Sequence, residues 1–323
     1  MKPKIFVTRI IPEVGLARLR EACAVDVWER ETPPPYEALV ERVKGVDGIL
    51  CCITERIDAP LIDAAGSQLK VISQMAVGVD NVDVRAAVER GIPVGNTPGV
   101  LTDATADIAF ALLLAAARRI VESAQYIRDG KWTMWEPRTL LGHDLSGATL
   151  GIVGFGRIGQ AMARRAKGFD MRVLAYSRRL TDEAAAHQGV ERANLDDLLR
   201  QSDFVSIHAP LTPETRHLIN RDTLAQMKRS AILINTARGP VVDQTALYEA
   251  LRDGVIAAAA LDVTDPEPIR LDDPLLTLPN VVIVPHIGSA TVGTRDKMAL
   301  MAAENAIAGV NGQPLPNAVT AHK

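Results

Sequence analysis

The chain has 323 residues, which is more than one ordinary hydrophobic core holds, so we expect two domains. Hydrophobic residues make up 47% of the sequence and charged residues 23%, a balance typical of a globular protein that folds in water. The formal net charge of -3 gives no electrostatic attraction to nucleic acid or to an anionic membrane, so the expected partners are small molecules.

The cysteines and the first residues of the chain help to predict the cellular compartment of the protein. Cys23 and the adjacent pair Cys51 and Cys52 lack the spacing of a metal site, and we interpret them as small buried residues in a reducing environment. The chain starts Met1-Lys2-Pro3-Lys4 and passes directly into a strand-like run, without the apolar region of a signal peptide. The longest apolar stretch, residues 108–117, is too short to span a bilayer. We expect a cytoplasmic protein without a metal centre.

The first hundred residues alternate short apolar runs with helical patterns, which is typical of a parallel α/β sheet. They contain no glycine-rich phosphate loop, so this part of the chain has some other ligand or task. Strands are predicted over residues 4–10, 25–28, 48–53, 70–77 and 93–94, and helices over residues 13–22, 36–43, 60–65 and 82–90.

A long helix that starts at Thr102 or Asp103 and continues to Ala117 is apolar on nearly every side. Such a helix is expected to be buried between two bodies, which puts the first domain boundary near residue 100. The last helical stretch, residues 295–308, is rich in alanine and suits packing back onto the first domain. We therefore predict a discontinuous substrate domain, residues 1–99 plus 290–323, and a dinucleotide-binding domain, residues 100–289.

A polar loop over residues 130–137 carries two tryptophans, Trp132 and Trp135. Two tryptophans in such a loop are equally consistent with side chains that plug the hydrophobic core and with side chains that form an association surface.

A dinucleotide-binding pattern begins at residue 150. The apolar strand 150–153 runs into Gly154, Gly156 and Gly159, which have the spacing G-x-G-x-x-G. The first glycine allows a tight turn, the second lets a pyrophosphate approach the backbone, and the third lets the next helix pack on the strand. The pyrophosphate then meets the N–H groups at the helix N-terminus. Later segments extend this unit into a doubly wound parallel sheet, with strands over residues 171–176, 204–208, 231–235, 258–262 and 281–284 and helices over residues 195–199, 222–227 and 245–251.

Polar residues stand at the carboxyl ends of three of these strands, where ligands bind in open α/β sheets. They are Arg238, Asp262 and His286, and Glu267 lies between two prolines in a neighbouring loop. An arginine can bind a carboxylate through two hydrogen bonds, and an imidazolium can protonate a carbonyl oxygen as hydride arrives. A carboxylate that contacts the imidazole favours its charged form.

A nicotinamide enzyme that reduces a 2-oxo acid needs these three groups, so we predict Arg238, Glu267 and His286 as its catalytic residues. Each of them alone also fits a structural role, and it is their grouping on a dinucleotide-binding fold that favours catalysis. His208, beside Pro210, is placed to line the adenosine side of the groove. The remaining histidines lie in polar surroundings and are predicted at the surface: His143, His187, His217 and His322.

Taken together, these motifs resemble the D-isomer-specific 2-hydroxyacid dehydrogenases over nearly the whole chain. The resemblance implies an α/β protein in which a Rossmann-type doubly wound parallel sheet is joined to a second, smaller flavodoxin-like α/β domain. It rests on five segments in the order of that family: Val77-Gly78-Val79-Asp80-Asn81, the glycine loop 154–159, Asn235-Thr236-Ala237-Arg238-Gly239, Leu261-Asp262-Val263 with Glu267, and Pro285-His286-Ile287-Gly288.

Within the family, residues 130–135 look like the tryptophan loop of the glyoxylate/hydroxypyruvate reductases. The resemblance implies reduction of glyoxylate to glycolate or of hydroxypyruvate to D-glycerate, and a homodimer in which Trp135 reaches the substrate of the partner subunit. It further implies that the backbone amides of Val77 and Gly78, aided by Arg238, hold the substrate carboxylate. The implied contacts to nicotinamide, ribose and pyrophosphate come from Thr105, Arg157, Ile158, Thr236, Asp262 and Gly288.

One departure concerns the cofactor. About 20 residues beyond the glycine loop, where NAD-dependent chains place an acidic residue, this sequence has Ser177-Arg178-Arg179. Two guanidinium groups suit a 2′-phosphate, so NADPH is predicted to be preferred, with NADH possible as a second cofactor. The alternative is that both arginines are simply exposed surface residues.

The resemblance leaves other functions open. Enzymes of the 2-ketogluconate, D-lactate or D-3-phosphoglycerate dehydrogenase type would use the same catalytic groups. A dinucleotide-sensing binding protein without enzymatic activity is a further alternative, but the sequence shows no disordered tail or basic patch through which such a protein would bind partners.

Overall fold

A computed structural model describes residues 2–320 of the chain, so the prediction for His322 lies outside the described part. The chain divides into two compact units, which we call the first unit (Met1–Leu101 with Ala290–Lys323) and the second unit (Thr102–Ser289). Each unit is built on one parallel sheet. No helix among residues 2–320 has both the length and the apolar character needed to cross a membrane.

The sheet of the first unit has the strand order β2-β1-β3-β4-β5, and all its pairs are parallel. This order is that of flavodoxin-like folds, which confirms the predicted class. Its strands are β1 (Lys4–Val7), β2 (Ala24–Val27), β3 (Gly48–Cys51), β4 (Val71–Gln74) and β5 (Val94–Gly95). Its helices are α1 (Glu13–Ala22), α2 (Tyr36–Arg42), α3 (Ala59–Ala65), α4 (Val84–Glu89) and the final helix α12 (Val292–Val310).

The final helix belongs to this unit because small residues let it approach closely. A Cβ added to Gly15 of α1 would lie 2.8 Å from the Cβ of Ala299, and one added to Gly309 would lie 2.4 Å from the Cβ of Val71. Both distances are below normal van der Waals contact, so only glycine fits there. Helix α12 therefore packs on α1 and on the face of β4.

The sheet of the second unit has the order β12-β11-β10-β9-β6-β7-β8, which is the doubly wound Rossmann type and confirms the prediction. Its strands are β6 (Thr149–Val153), β7 (Arg172–Tyr176), β8 (Glu191–Arg192), β9 (Phe204–Ile207), β10 (Ile232–Asn235), β11 (Ala258–Leu261) and β12 (Val281–Ile283). Its α-helices are α5 (Thr102–Ala117), α6 (Ile120–Arg128), α7 (Arg157–Lys167), α8 (Asp182–His187), α9 (Leu195–Gln201), α10 (Arg221–Gln226) and α11 (Gln244–Arg252). Two short 3₁₀ turns are Gly239–Val241 and Pro274–Thr277.

The structure differs from the prediction mainly at element ends. Most strands stop one to three residues earlier than their apolar runs do, as at β1, which ends at Val7 rather than Ile10. The apolar helix predicted from Thr102 is α5, and it packs on α7, β10 and β11 within the second unit. The sequence prediction missed α6, α8 and β8, of which β8 has two residues and α8 has six.

The close packing of α1 on α12 gives a stability prediction. The substitution Gly15→Ala forces a Cβ against the backbone of Ala299, which should lower the free energy of unfolding by about 1–3 kcal/mol. Gly293→Ala, in a helical site with no atom within 4 Å of the added Cβ, should be neutral or raise it by about 0.5–1 kcal/mol. Thermal unfolding of both variants measures the difference. Equal transition temperatures would contradict the packing described here.

Candidate active site

The candidate catalytic residues follow neighbouring strands of the second unit. Arg238 follows β10, Asp262 follows β11 and His286 follows β12, and these three strands are adjacent and parallel. Their carboxyl ends therefore meet at one edge of the sheet. The edge is the place where ligands bind in doubly wound folds.

The backbone around Arg238 is fixed by Asn235 and Gly239. The buried amide of Asn235 donates from Nδ2 to the Arg238 carbonyl (2.9 Å) and accepts from the Ala237 N–H (3.0 Å). A Cβ on Gly239 would lie 1.9 Å from the Thr264 carbonyl oxygen, so only glycine lets this turn touch the loop that leads to Glu267. The side chain of Arg238 is partly buried, and its Nη1 donates to the Ala237 carbonyl (2.8 Å).

The structure brings Glu267 and His286 together. The Nδ1 atom of His286 lies 2.5 Å from Oε1 of Glu267, so the two side chains form a hydrogen-bonded ion pair when the imidazole is protonated. The loop before Glu267 is tied down by the Asp265 N–H, which donates to Oε1 of Gln244 (2.9 Å), and by the Thr264 hydroxyl, which donates to the Pro266 carbonyl (2.8 Å). Because Nδ1 is held by Glu267, Nε2 is the imidazole nitrogen left to meet a substrate.

Asp262 holds the turn that presents His286. Its buried carboxylate accepts hydrogen bonds from the Ile287 N–H (2.6 Å) and the Gly288 N–H (2.8 Å), and its carbonyl accepts from the His286 N–H (2.9 Å). Burial raises the pKa of Asp262 above its usual range, while those two N–H groups and the nearby His286 oppose the shift. His286 has a φ of 52°, in the left-handed region that side chains other than glycine rarely adopt.

The glycine loop has the geometry that its sequence predicts. Gly154 has a φ of 97°, and a Cβ there would lie 2.4 Å from the Ala209 nitrogen, where β9 ends. A Cβ on Gly159 would lie 2.3 Å from the Gly154 carbonyl oxygen, so this glycine closes the turn onto α7. A Cβ on Gly156 would meet no atom within 4 Å. Packing thus explains Gly154 and Gly159, whereas the exposed Gly156 leaves room for a phosphate group beside the N-terminus of α7.

Three further predicted cofactor residues lie together at this edge. A Cβ on Gly288 would lie 2.9 Å from Oδ2 of Asp262 and 3.4 Å from Cγ2 of Thr105, so these residues are neighbours. Thr236 is buried, and its hydroxyl has no hydrogen-bond partner within residues 2–320. An unpaired buried hydroxyl is costly, and a bound nicotinamide nucleotide would offer it polar partners. The residues present therefore fit a dinucleotide.

The residues that follow β7 are exposed and basic. Ser177 is half-buried, while Arg178 and Arg179 are exposed. One Nη of Arg178 lies 3.9 Å from a carboxylate oxygen of Glu214, an acidic residue that sequence reasoning did not single out. At this distance and exposure the pair is weak, so the guanidinium remains able to turn to an anionic ligand.

His208 is a half-buried residue that directly follows β9. Its Nε2 atom lies 2.9 Å from the hydroxyl of Ser206, and its Nδ1 atom is buried without a hydrogen-bond partner among the described residues. Burial lowers the pKa of His208 to about 4, so the ring is neutral at neutral pH. Pro210, two residues later, is exposed. The three other histidines that the structure describes, His143, His187 and His217, are exposed as predicted.

Val77 and Gly78 lie in the first unit, in the loop that follows β4. Within residues 2–320 their N–H groups donate to no acceptor, whereas the carbonyl groups of Ala76, Val77 and Gly78 all accept hydrogen bonds. A pair of unbonded backbone N–H groups is a suitable site for a carboxylate.

The tryptophan loop is exposed. Trp132 is 62% exposed and Trp135 is 79% exposed, so the alternative that they plug the core of their own chain is wrong. No residue of α6, as the structure describes it, is buried.

Cys52 is half-buried rather than buried, whereas Cys23 and Cys51 are buried as expected. In the described part of the chain, no three His, Cys, Asp or Glu side chains are arranged to hold a metal ion.

Sequence reasoning missed the residues that hold the catalytic loops in place. Asn235 and Gln244 fix the backbone beside Arg238 and Glu267. Asn235 could have been recognised, because an asparagine at the last position of an apolar strand often bonds to the backbone of the turn that follows. Gln244 gave no such signal, since its partner lies 21 residues away in the sequence.

Comparison with known proteins gives consistent results. Residues 110–288 match the family model described as D-isomer specific 2-hydroxyacid dehydrogenase, NAD binding domain. The chain is 54% identical to a glyoxylate reductase from Korarchaeum cryptofilum, over 99% of this chain and 96% of that protein.

Two solved structures are closely similar. One, from Thermus thermophilus, has 52% identity and a TM-score of 0.92, and the match covers 98% of this chain and 100% of that one. The other is an NADPH-dependent glyoxylate/hydroxypyruvate reductase from Sinorhizobium meliloti in complex with NADP and malonate, with 33% identity, a TM-score of 0.88, and coverage of 99% and 97%. Both domains of the chain thus have close relatives, and the chain belongs to the D-isomer specific 2-hydroxyacid dehydrogenases, a family of NAD(P)-dependent oxidoreductases.

Proposed function

We propose that this protein reduces glyoxylate to glycolate and hydroxypyruvate to D-glycerate, with Arg238, Glu267 and His286 as its catalytic residues. The observation that carries the proposal is the contact of 2.5 Å between Nδ1 of His286 and Oε1 of Glu267, at the strand edge shared with Arg238. The names of the similar proteins, which include glyoxylate reductases at about 50% identity, support the choice of substrate.

Each residue has one task in this reaction. A bound reduced nicotinamide would supply the hydride that the carbonyl carbon of the 2-oxo acid accepts. The imidazolium of His286 donates its Nε2 proton to the carbonyl oxygen, so that the C=O double bond becomes a C–OH group and the imidazole is left neutral. The carboxylate of Glu267 stabilises the imidazolium before this transfer and fixes the ring. Arg238 binds the carboxylate of the substrate, together with the N–H groups of Val77 and Gly78.

A mutation series tests these roles. His286→Ala should lower kcat for glyoxylate, followed by oxidation of NADPH, by roughly 10²-fold or more. Glu267→Gln keeps the size of the side chain but removes the charge that faces Nδ1 of His286, so kcat should also fall. His217→Ala, in an exposed histidine of the same unit, is the matched control and should turn over normally. Near-normal turnover by His286→Ala would reject its role as the acid.

For the cofactor, we infer a preference for NADPH over NADH. The support is local: two exposed arginines follow β7, and the corresponding segment contributes no carboxylate to hold a ribose 2′-hydroxyl. The related Sinorhizobium meliloti enzyme is described as NADPH-dependent. Arg157 and Ile158, in the first turn of α7, and the loop around His208 and Pro210 are proposed to line the rest of the cofactor.

Replacement of both arginines tests the preference. The double variant Arg178→Ser, Arg179→Ser should lower kcat/KM for NADPH by about 10-fold to 100-fold, because it removes two charge-assisted contacts to the 2′-phosphate. The value for NADH should change less than about twofold, since NADH lacks that phosphate. Arg200→Ser, on the exposed face of α9, controls for loss of positive charge. A higher kcat/KM with NADH than with NADPH in the unaltered enzyme would refute the preference.

We also propose a homodimer. Exposed large apolar side chains concentrate in one segment of the second unit, where seven of them are at least 52% exposed in a single chain. Such concentration marks an association surface. The residues are Ile120, Val121, Ile127, Trp132, Met134, Trp135 and Leu141. In the proposed dimer Trp135 reaches the substrate of the partner subunit.

Sedimentation velocity tests this arrangement. The unaltered protein should sediment with twice the mass of one chain, and Ile127→Glu, which places a charge in the apolar segment, should shift it toward the monomer. Val88→Glu is the control, because Val88 is similarly exposed (48%) but lies on α4 of the first unit. A monomeric unaltered protein, or equal behaviour of the two variants, would contradict the proposal.

A further inference from the structure

The carbonyl groups of the loop that follows β4 accept hydrogen bonds from other parts of the first unit. The Ala76 carbonyl accepts a hydrogen bond from the Thr97 N–H (2.9 Å), and the Val77 carbonyl accepts one from Nδ2 of Asn96 (2.8 Å). The Gly78 carbonyl accepts a longer one from Nε2 of Gln74 (3.4 Å). Three successive carbonyl groups are therefore tied back to the body of the first unit.

Because these carbonyl groups are held, the geometry of the peptide bond also fixes the direction of the N–H group of each following residue. In a trans peptide the C=O of one residue and the N–H of the next lie in one plane and point in opposite directions. The bond from Thr97 to the Ala76 carbonyl therefore fixes the direction of the Val77 N–H. The bond from Asn96 to the Val77 carbonyl fixes the direction of the Gly78 N–H in the same way. Neither N–H has an acceptor within residues 2–320.

Asn96 is itself held rigidly. Its carbonyl accepts a hydrogen bond from Nδ2 of Asn305 on α12 (2.9 Å), and its N–H donates to the Asn317 carbonyl (3.1 Å). Asn305 is fully buried, and a Cβ on Gly95 would lie 2.8 Å from its Cγ, so β5 and α12 fit closely at this point. The amide that reaches Val77 is thus anchored to the core of the first unit.

The opposite end of the loop is fixed by a buried polar chain. The thiol of Cys51 donates to Oε1 of Gln74 (3.0 Å), and Nε2 of Gln74 donates to Oδ1 of Asn81 (2.8 Å). Nδ2 of Asn81 in turn donates to the carbonyls of Cys52 (2.9 Å) and Glu55 (2.8 Å). Burial raises the pKa of Cys51 well above its usual value, so the thiol keeps its proton and remains a donor. This chain sets where the loop starts and ends.

We propose that Asn96 is a positioning residue for the carboxylate of the substrate: its amide orients the peptide between Val77 and Gly78 so that the Gly78 N–H faces the ligand. The inference rests on the proposed function, in which Val77 and Gly78 bind that carboxylate. Asn96 does not touch the substrate in this scheme. It sets the direction of a group that does.

A pair of matched variants tests the proposal. Asn96→Ala removes the bond to the Val77 carbonyl, while Asn311→Ala removes an equivalent bond from Nδ2 to the Ile307 carbonyl (2.8 Å) at the exposed end of α12. For Asn96→Ala we expect a KM for glyoxylate about tenfold higher, with kcat within about threefold and KM for NADPH within about twofold of the original values, because binding of the carboxylate is lost equally in the ground state and the transition state. Asn311→Ala should leave all three unchanged. A KM for glyoxylate that is the same in both variants would overturn the proposal.

A binding measurement separates this inference from the proposed function. Oxamate, a carboxylate that is not reduced, is titrated into the NADPH-loaded protein, and its dissociation constant should rise by about the same tenfold factor in Asn96→Ala only. If the unaltered protein binds oxamate but does not reduce glyoxylate, the proposed substrate fails, while the oxamate difference still decides the role of Asn96. Should Asn96→Ala not fold, the isosteric Asn96→Asp serves instead. It places a carboxylate oxygen against the Val77 carbonyl and must weaken oxamate binding at least as much, and unchanged binding would reject the inference.

Discussion

The candidate catalytic site depends on one buried carboxylate. Asp262 follows β11, and both of its carboxylate oxygens accept hydrogen bonds from the N–H groups of Ile287 and Gly288, while its carbonyl accepts one from the N–H of His286. These bonds stabilise the left-handed backbone of His286, a conformation that costs a residue with a side chain about 1–2 kcal/mol. Because the turn is fixed in this way, the imidazole stands where Glu267 can reach Nδ1. The contact between His286 and Glu267 therefore depends on the hydrogen bonds that Asp262 makes to the turn after β12.

Glycines mark the places where backbone segments must approach each other. Gly239 touches the Thr264 carbonyl and brings the Arg238 turn to the loop of Glu267, and Gly154 touches the end of β9. At both positions the chain itself requires the absence of a side chain. Gly156 differs, because nothing in the chain is near its missing Cβ. The same motif thus contains glycines that the packing of the chain requires and one that it does not, and only the structure separates the two.

The sequence was sufficient for the parts of the protein that depend on local pattern. The sheet class of both units, the helix from Glu13 to Ala22 and the grouping of Glu267 with His286 followed from apolar runs, breakers and strand ends. The contacts that could not be predicted join residues that are far apart in the sequence. The bond from the Asp265 N–H to Gln244 and the bond from Asn305 to the Asn96 carbonyl join residues 21 and 209 positions apart, and neither is visible in local periodicity. Helix α6 was not predicted, although Ile120, Ala124 and Ile127 recur at helical spacing; none of its residues is buried in its own chain.

Both units contain backbone N–H groups that donate to no acceptor among residues 2–320, and we propose both sets as anion-binding groups. At the start of α7, N–H groups lack partners because the helix has no preceding turn to accept from them. In the loop that follows β4, N–H groups lack partners because their carbonyl neighbours are held in the opposite direction by Asn96 and by the Thr97 N–H. In each case the donors belong to the backbone, and their direction is set by hydrogen bonds and peptide geometry. A carboxylate or phosphate that binds there loses little binding free energy to ordering these donors, because they were already oriented when the chain folded.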